Sequence, residues 1–223
     1  MSGAHDSYLF SLVPSSEGEV AFAFHKRIAS SNSHIWPRTQ AFIEKLAYDD
    51  CLFGARSSDS GEYAGLCYST LDEPEKEWEL GGLIVDPPVR KLGIGEMLAR
   101  LALAHTMVVA QPWNEGQNIV AYVHEANIEP RRLLEKLGFQ WAETIEIPAD
   151  TAPPEMKRNS AGNLIGDKFV FTPQGLVHLS DWFDRHFDGT IDNGKVLARI
   201  NLGFMNLDQL RASLRDLANK TLG

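Results

Sequence analysis

The chain has 223 residues, 43% of them hydrophobic and 23% charged, with a formal net charge of -9. That is enough apolar material for one sizeable core and too little charge for wholesale disorder. The acidic balance argues against general nucleic-acid binding, which rests on clustered Lys and Arg.

No run approaches the ~20 apolar residues of a membrane span, and Met1 to Leu12 lacks the features of a signal peptide. No membrane association is expected. Cys51 and Cys67 sit in apolar stretches without metal-type spacing. They read as buried thiols in a reducing cytoplasm, and no metal is expected.

In chain order, Tyr8 to Val13 predicts a first strand. Glu17 to Ser30 predicts a helix, with Ser15 or Ser16 as its cap. Pro37 opens a second helix carrying Phe42, Ile43, Leu46 and Ala47 at helical spacing. Cys51 to Ala55, Glu62 to Thr70 and Glu77 to Val85 read as three strands of an antiparallel meander, with a hairpin turn over Ser57 to Gly61. Gly93-Ile94-Gly95 opens a long apolar helix to about Ala110, and Asn118 to Val123 is a further strand. Pro130 lies in the first turn of a helix that ends at Gly138. Phe139 to Ile147 is a strand, Pro148 to Asp167 a long connection, and Lys168 to Thr172 the last strand. From Pro173 onward the chain reads as helical. Leu207, Leu210, Leu214 and Leu217 make one apolar stripe there, suited to the same core or to a homodimer contact. The division expected is residues 1–172 as the main domain and 173–223 as a helical extension.

The most informative stretch runs from Leu83 to Glu96. An apolar strand, Leu83-Ile84-Val85, ends at the rigid Asp86-Pro87-Pro88 turn. Arg90 and Lys91 follow, then Gly93-Ile94-Gly95 at a helix start. Glycines let the backbone approach a ligand closely, and the first N–H groups of a helix have no intrahelical partner. With the positive dipole end, they suit a phosphate or pyrophosphate. The dinucleotide fingerprint fails at Leu98, where a third glycine is required, and the P-loop fails for lack of Gly-Lys-Ser/Thr.

Arg90-Lys91-Leu92-Gly93-Ile94-Gly95, preceded by Val85 and Pro87, resembles the acetyl-CoA-binding signature of the GNAT family of N-acetyltransferases. Asn127, followed by a helix ending in Glu135-Lys136-Leu137-Gly138-Phe139, is similar to a second motif of that family. The resemblance spans roughly Tyr8 to Thr172. It implies an α/β (α+β) fold with a mostly antiparallel twisted sheet, flanked by helices and splayed at the acetyl-CoA site. It further implies that the backbone of Leu83, Ile84 and Val85 binds the pantetheine arm. By the same resemblance, the amides of Lys91, Leu92, Gly93, Ile94, Gly95 and Glu96 hold the pyrophosphate, with Arg90 beside them. Asn127 would touch the cofactor near its thioester, and Arg131 either reaches the phosphates or belongs to a polar helix face. The activity implied is transfer of an acetyl group from acetyl-CoA to an amine of a small molecule or protein. From Trp78 to Gln140 there are six Lys or Arg against seven Asp or Glu, so backbone amides, more than net charge, must bind the phosphates.

Direct transfer needs a base for the amine proton and a donor for the oxyanion, which a backbone N–H near Val85 could supply. Where many members carry a Tyr as acid, this chain has Leu134; where some carry a Glu, it has Tyr122. The remaining base candidates are Glu79, His124 and Glu125. Regular alternation would put Glu79 on one face with Leu83 and Val85; otherwise it is a solvated strand residue. His124 is either a base or an exposed loop histidine. Trp141, Met156 and the long connection are candidates for shaping acceptor choice. The absent Tyr at Leu134 leaves a second reading, a catalytically idle acyl-CoA sensor or interaction module.

Overall fold

The computed structural model describes residues 6–148, 152–160, 162–185, 190–192, 195–203 and 205–222. The first half holds β1 (Asp6–Leu12), α1 (Gly18–Ala29), α2 (Gln40–Tyr48), β2 (Leu52–Ser57), β3 (Tyr63–Asp72) and β4 (Glu77–Val85). Then come α3 (Ile94–His105), β5 (Asn118–His124), α4 (Ile128–Leu137), β6 (Phe139–Ile147) and β7 (Leu164–Phe171). The tail comprises α5 (Pro173–Asp184), β8 (Thr190–Asp192), β9 (Val196–Asn201) and α6 (Leu207–Leu222).

Among the described residues nine strands join one sheet, in the order β6-β7-β5-β4-β3-β2-β1-β9-β8. Most neighbours are antiparallel; β4 with β5 and β1 with β9 are parallel. Alternating side chains of the sheet bury into a layer on each face. On one face, Leu66, Tyr68 and Ile84 pack with Ile28 of α1 and Ile43 and Leu46 of α2. On the other, Leu98, Leu101 and Leu103 of α3 pack with Phe139, Phe169, Phe171 and the tail helices. The Leu210 and Leu214 positions of the α6 stripe are fully buried in this larger core, with Leu207 and Leu217 partly buried beside them.

Several local expectations are corrected. Pro37 does not open α2; Thr39 caps it, its hydroxyl accepting from the Phe42 N–H at 3.2 Å. Neither Ser15 nor Ser16 caps α1, because both lie in a one-turn 3-10 helix that leads into it. The α-helix after Gly95 ends at His105, and Thr106–Ala110 continues as a wider π turn. The last strand before the tail begins at Leu164 rather than Lys168. Gly166 and Asp167 disguised its start, yet they pair with Ile145 and Thr144 of β6.

The tail supplies the helices expected from Pro173 onward, and between them it adds two strands. β9 runs parallel to β1, from Asp6↔Val196 to Ser11↔Asn201, burying Val196 and Ala198. Pairing with β1 is a long-range decision that a six-residue segment cannot announce by itself. The joint between tail and main sheet is tight. A Cβ on Gly138, at the end of α4, would lie 2.2 Å from the Gly175 Cα in the first turn of α5. Thr172 bridges them, donating its hydroxyl to the Gly138 carbonyl and accepting from the Gly175 N–H.

Candidate active site

The site is built where two parallel strands part. β4 and β5 pair only at Glu77↔Asn118, Trp78↔Ile119 and Glu79↔Val120. From Leu80 to Val85 the β4 backbone has no β5 partner, so an edge of N–H and C=O groups faces the gap. A cavity of about 500 Å³ fills that gap, lined by Leu80 to Ile84 on one wall and by Asn127, Leu133 and Leu134 on another.

The parting coincides with a β-bulge. Leu66 pairs with Ile84 and Tyr68 with Gly81, so Cys67 stands opposite two residues, Gly82 and Leu83. Gly82 has φ +57°, and a Cβ there would lie 2.4 Å from the Tyr68 ring. The extra residue reverses the alternation. Leu83 and Val85 pack toward the α3 layer, while Ile84 packs toward α1 and α2. Glu79 therefore does not share a face with Leu83 and Val85. It lies on the side of Tyr68, whose hydroxyl donates to Glu79 Oε1 at 2.8 Å.

Arg38, from the α1–α2 connection, completes this group. Its Nη2 donates to Glu79 Oε1 at 2.9 Å and also to the Tyr68 hydroxyl. Burial, with Glu79 adding to it, pushes the Tyr68 phenol well above its ordinary value, so Tyr68 remains a neutral donor. His25 of α1 positions the Arg38 backbone, accepting its N–H on Nε2 at 3.1 Å. Burial, together with the Arg38 charge, pushes His25 down to about 4, so it is neutral at pH 7 and able to accept.

At the other end of the gap, Gly93 has φ +89° and caps α3 without a side-chain bond, and Lys91 also has positive φ. The first N–H groups of α3, from Ile94 to Glu96, lie in the turn that lacks intrahelical acceptors. The Glu96 carboxylate is held by Arg100 at 2.9 Å and by Lys136 of α4 at 2.5 Å. Burial alone would raise Glu96, but hydrogen bonds from Lys136 and Arg100 outweigh it and leave the group below its ordinary value. Arg90 donates from Nε to the Val85 carbonyl at 3.1 Å, and Lys195 of the tail donates to the Lys91 carbonyl at 3.0 Å.

Asn127 precedes α4, and its side chain does not cap that helix. His124 is buried, not an exposed loop residue. Its Nδ1 accepts the Ala126 N–H at 3.1 Å, so Nε2 carries the hydrogen and donates to the Lys157 carbonyl at 2.8 Å. With both nitrogens engaged, it has no lone pair to offer a substrate. Arg131 is paired with the buried Asp167, which also accepts from Thr144 at 2.7 Å. The Arg131 guanidinium is thus engaged by Asp167. Glu125 is exposed. Leu134 is buried, and Tyr122 is 42% exposed, donating to Glu77 at 3.3 Å. Met156 lines the cavity; Trp141 does not, its indole donating to Asp167 at 3.3 Å.

Sequence reasoning missed His34 and Arg38 of the α1–α2 connection, Tyr68 of β3 and Lys195 of the tail, which come from three separate segments. The one available signal was the adjacent Gly81-Gly82 pair, which marks a place where backbone and side chain approach closely.

Among the described residues, a sheet that parts between two parallel strands, with a glycine-led helix start beside the gap, defines a mixed α/β fold with a candidate ligand cleft. A family model described as the acetyltransferase (GNAT) family matches residues 22–139, more than half of the chain. The chain belongs to that family and is a GNAT acetyltransferase by domain. A comparison with curated proteins found no match. Among solved structures, it is similar to a GNAT-family acetyltransferase from Streptococcus pneumoniae, with TM-score 0.53 and 15% identity over 74% of this chain and 99% of that one. It is also similar to a ribosomal-protein-alanine N-acetyltransferase from Brucella melitensis, with TM-score 0.53 and 14% identity over 73% and 99%. A third is Arabidopsis thaliana NAA60 in complex with a bisubstrate analogue, with TM-score 0.54 and 14% identity over 74% and 97%. At such identities these likenesses concern the fold alone.

Proposed function

We propose that this chain transfers an acetyl group from acetyl-CoA to a primary amine by direct attack. The observation that carries the reading is the parting of β4 and β5 after Glu79, which leaves an unpaired strand edge along a cavity. Such an edge suits an extended pantetheine arm, bound as an added strand by the backbone from Leu83 to Val85. The amides from Lys91 to Glu96 suit the pyrophosphate. The uncapped Asn127 amide suits the thioester end. When bound, acetyl-CoA supplies an activated carbonyl with a good leaving group.

Glu79 is the base candidate that the geometry favours, because it lines the cavity and His124 has no free nitrogen. Tyr68 and Arg38 both hold Oε1, and no described residue bonds Oε2. In this reading Oε2 takes the ammonium proton, directly or through a water. A backbone N–H between Leu80 and Val85 receives the developing oxyanion. The new N–C bond forms as the C–S bond breaks. The sulfur leaves as a thiolate and takes its proton from solvent, tolerable for a thiol with a pKa of about 8.5. Leu134 offers no acid.

The free cysteines Cys51 and Cys67 suit a reducing, cytoplasmic setting, and no helix among the described residues is long and apolar enough to cross a membrane. Calorimetric titration of wild type and Gly93→Asp with acetyl-CoA tests the cofactor site. Binding by wild type and its loss in the variant, with an unchanged circular dichroism spectrum, supports the reading. No binding by wild type sinks it. Binding without thiol release on any amine favours the idle module that Leu134 suggests.

A further inference from the structure

Two connections that border the cavity are joined to each other at one side of it. The Lys157 N–H, in the β6–β7 connection, donates to the Ser33 carbonyl in the α1–α2 connection at 3.0 Å. His124 donates to the carbonyl of the same Lys157, and its ring lies 4.8 Å from that of His34. Trp36 of one connection packs on Met156 and Ala152 of the other, with Ile147 and Leu164 beneath. An extended peptide laid across that side would meet two segments that are already hydrogen-bonded and packed together.

The charges inside point the same way. Among the described lining residues the cations are Arg38 and Lys168. Arg38 is paired with Glu79, and Lys168 with Glu77 at 2.8 Å. The lining also carries Asp72, Glu75 and Glu143, with Glu143 at 4.0 Å from Lys168. A ligand carboxylate would find no unpaired cation there, and a buried charge without a partner is strongly disfavoured. An incoming ammonium would be drawn by the carboxylates. The inner wall is apolar, formed by Trp36, Ile145, Ile147, Met156 and Leu164. The one polar atom there that stands buried and unbonded among the described side chains of the lining is His34 Nε2.

We infer that the acceptor is a compact primary amine with an apolar body and no carboxylate, and not a protein N-terminus or a free amino acid. This rests on the acetyltransferase reading above. It departs from the protein acceptor named for the Brucella melitensis neighbour.

The test measures thiol release from acetyl-CoA with phenethylamine, with L-phenylalanine, which adds a carboxylate to the same body, and with a tetrapeptide beginning in Phe. Acetyl-CoA binding is measured alongside by calorimetry. The expected result is a kcat/KM for phenethylamine about 100-fold above that for phenylalanine, the cost of an unpaired buried charge, and undetectable turnover of the peptide. Equal or better turnover of either competitor overturns the inference and leaves the acetyltransferase reading standing. No turnover of any amine, with acetyl-CoA bound, sinks that reading and the inference with it. In Met156→Ala and Trp36→Ala the KM for phenethylamine should rise by about tenfold, the size of a lost apolar contact, with acetyl-CoA affinity unchanged. An unchanged KM overturns the placement of the amine beside Trp36 and Met156.

Discussion

The Tyr68 hydroxyl donates to Glu79 at 2.8 Å across adjacent strands, and the Tyr68 ring lies where a side chain at Gly81 or Gly82 would otherwise stand. The bulge, the two glycines and this hydrogen bond form one device. The bulge turns Glu79 toward Tyr68, the missing Cβ atoms admit the ring, and the ring fixes the carboxylate at the mouth of the gap. Glu79→Gln keeps the shape and removes the proton acceptor. The expected loss in kcat/KM is about 100-fold or more, the usual range for a general base, with acetyl-CoA affinity unchanged. Tyr68→Phe keeps the ring and removes one hydrogen bond, so its loss should be smaller. Steady-state kinetics of the two variants, with calorimetry, decides the order; a silent Glu79→Gln excludes Glu79 as base.

His25 couples acidity to the fold. Its folded value lies near 4 against 6.5 for an ordinary histidine, so the unfolded chain binds the proton more readily. Stability contributed by neutral His25 is fully present above pH 6.5 and is lost as pH falls from 6.5 to about 4. The difference corresponds to about 3 kcal/mol at most. Urea unfolding of wild type should show this decline. In His25→Gln, which keeps an acceptor but cannot be protonated, the slope in that window should flatten. An identical slope in both proteins excludes the assignment.

Gly138 and Gly175 hold the tail to the main sheet. Gly138→Ala brings a methyl onto the Gly175 backbone at a position with φ +92°. Overpacking and left-handed strain together should cost about 3 kcal/mol. Gly61→Ala is the control: φ is +73°, with nothing within 4 Å of the added Cβ. Only the strain, about 1 kcal/mol, should appear there. The denaturation midpoints of the two variants separate the effects.

Lys195 ties β9 to the Lys91 carbonyl, inside the turn read as the pyrophosphate site. Lys195→Ala should loosen that turn and weaken acetyl-CoA binding by about fivefold, the value of one hydrogen bond. Far-ultraviolet circular dichroism should not change. Unaltered affinity would show that the tail supports the sheet without supporting the cofactor turn.

Much of this protein is legible locally. The turn from Asp86 to Gly95, the helix Ile128–Leu137 that ends at Gly138 and the meander that precedes them depend on residues close in sequence. Proline rigidity, glycine freedom and side-chain period act within a few residues, so they leave a readable trace. The family follows from those segments. The tertiary structure alone decided the rest. One extra residue in β4 reversed the face of Glu79. Folding brought Arg38 to Tyr68 across thirty positions, buried His124 under Lys157, and paired β9 with β1 from opposite ends of the chain. These are contacts between segments whose own propensities do not mention one another, so only the assembled sheet specifies them.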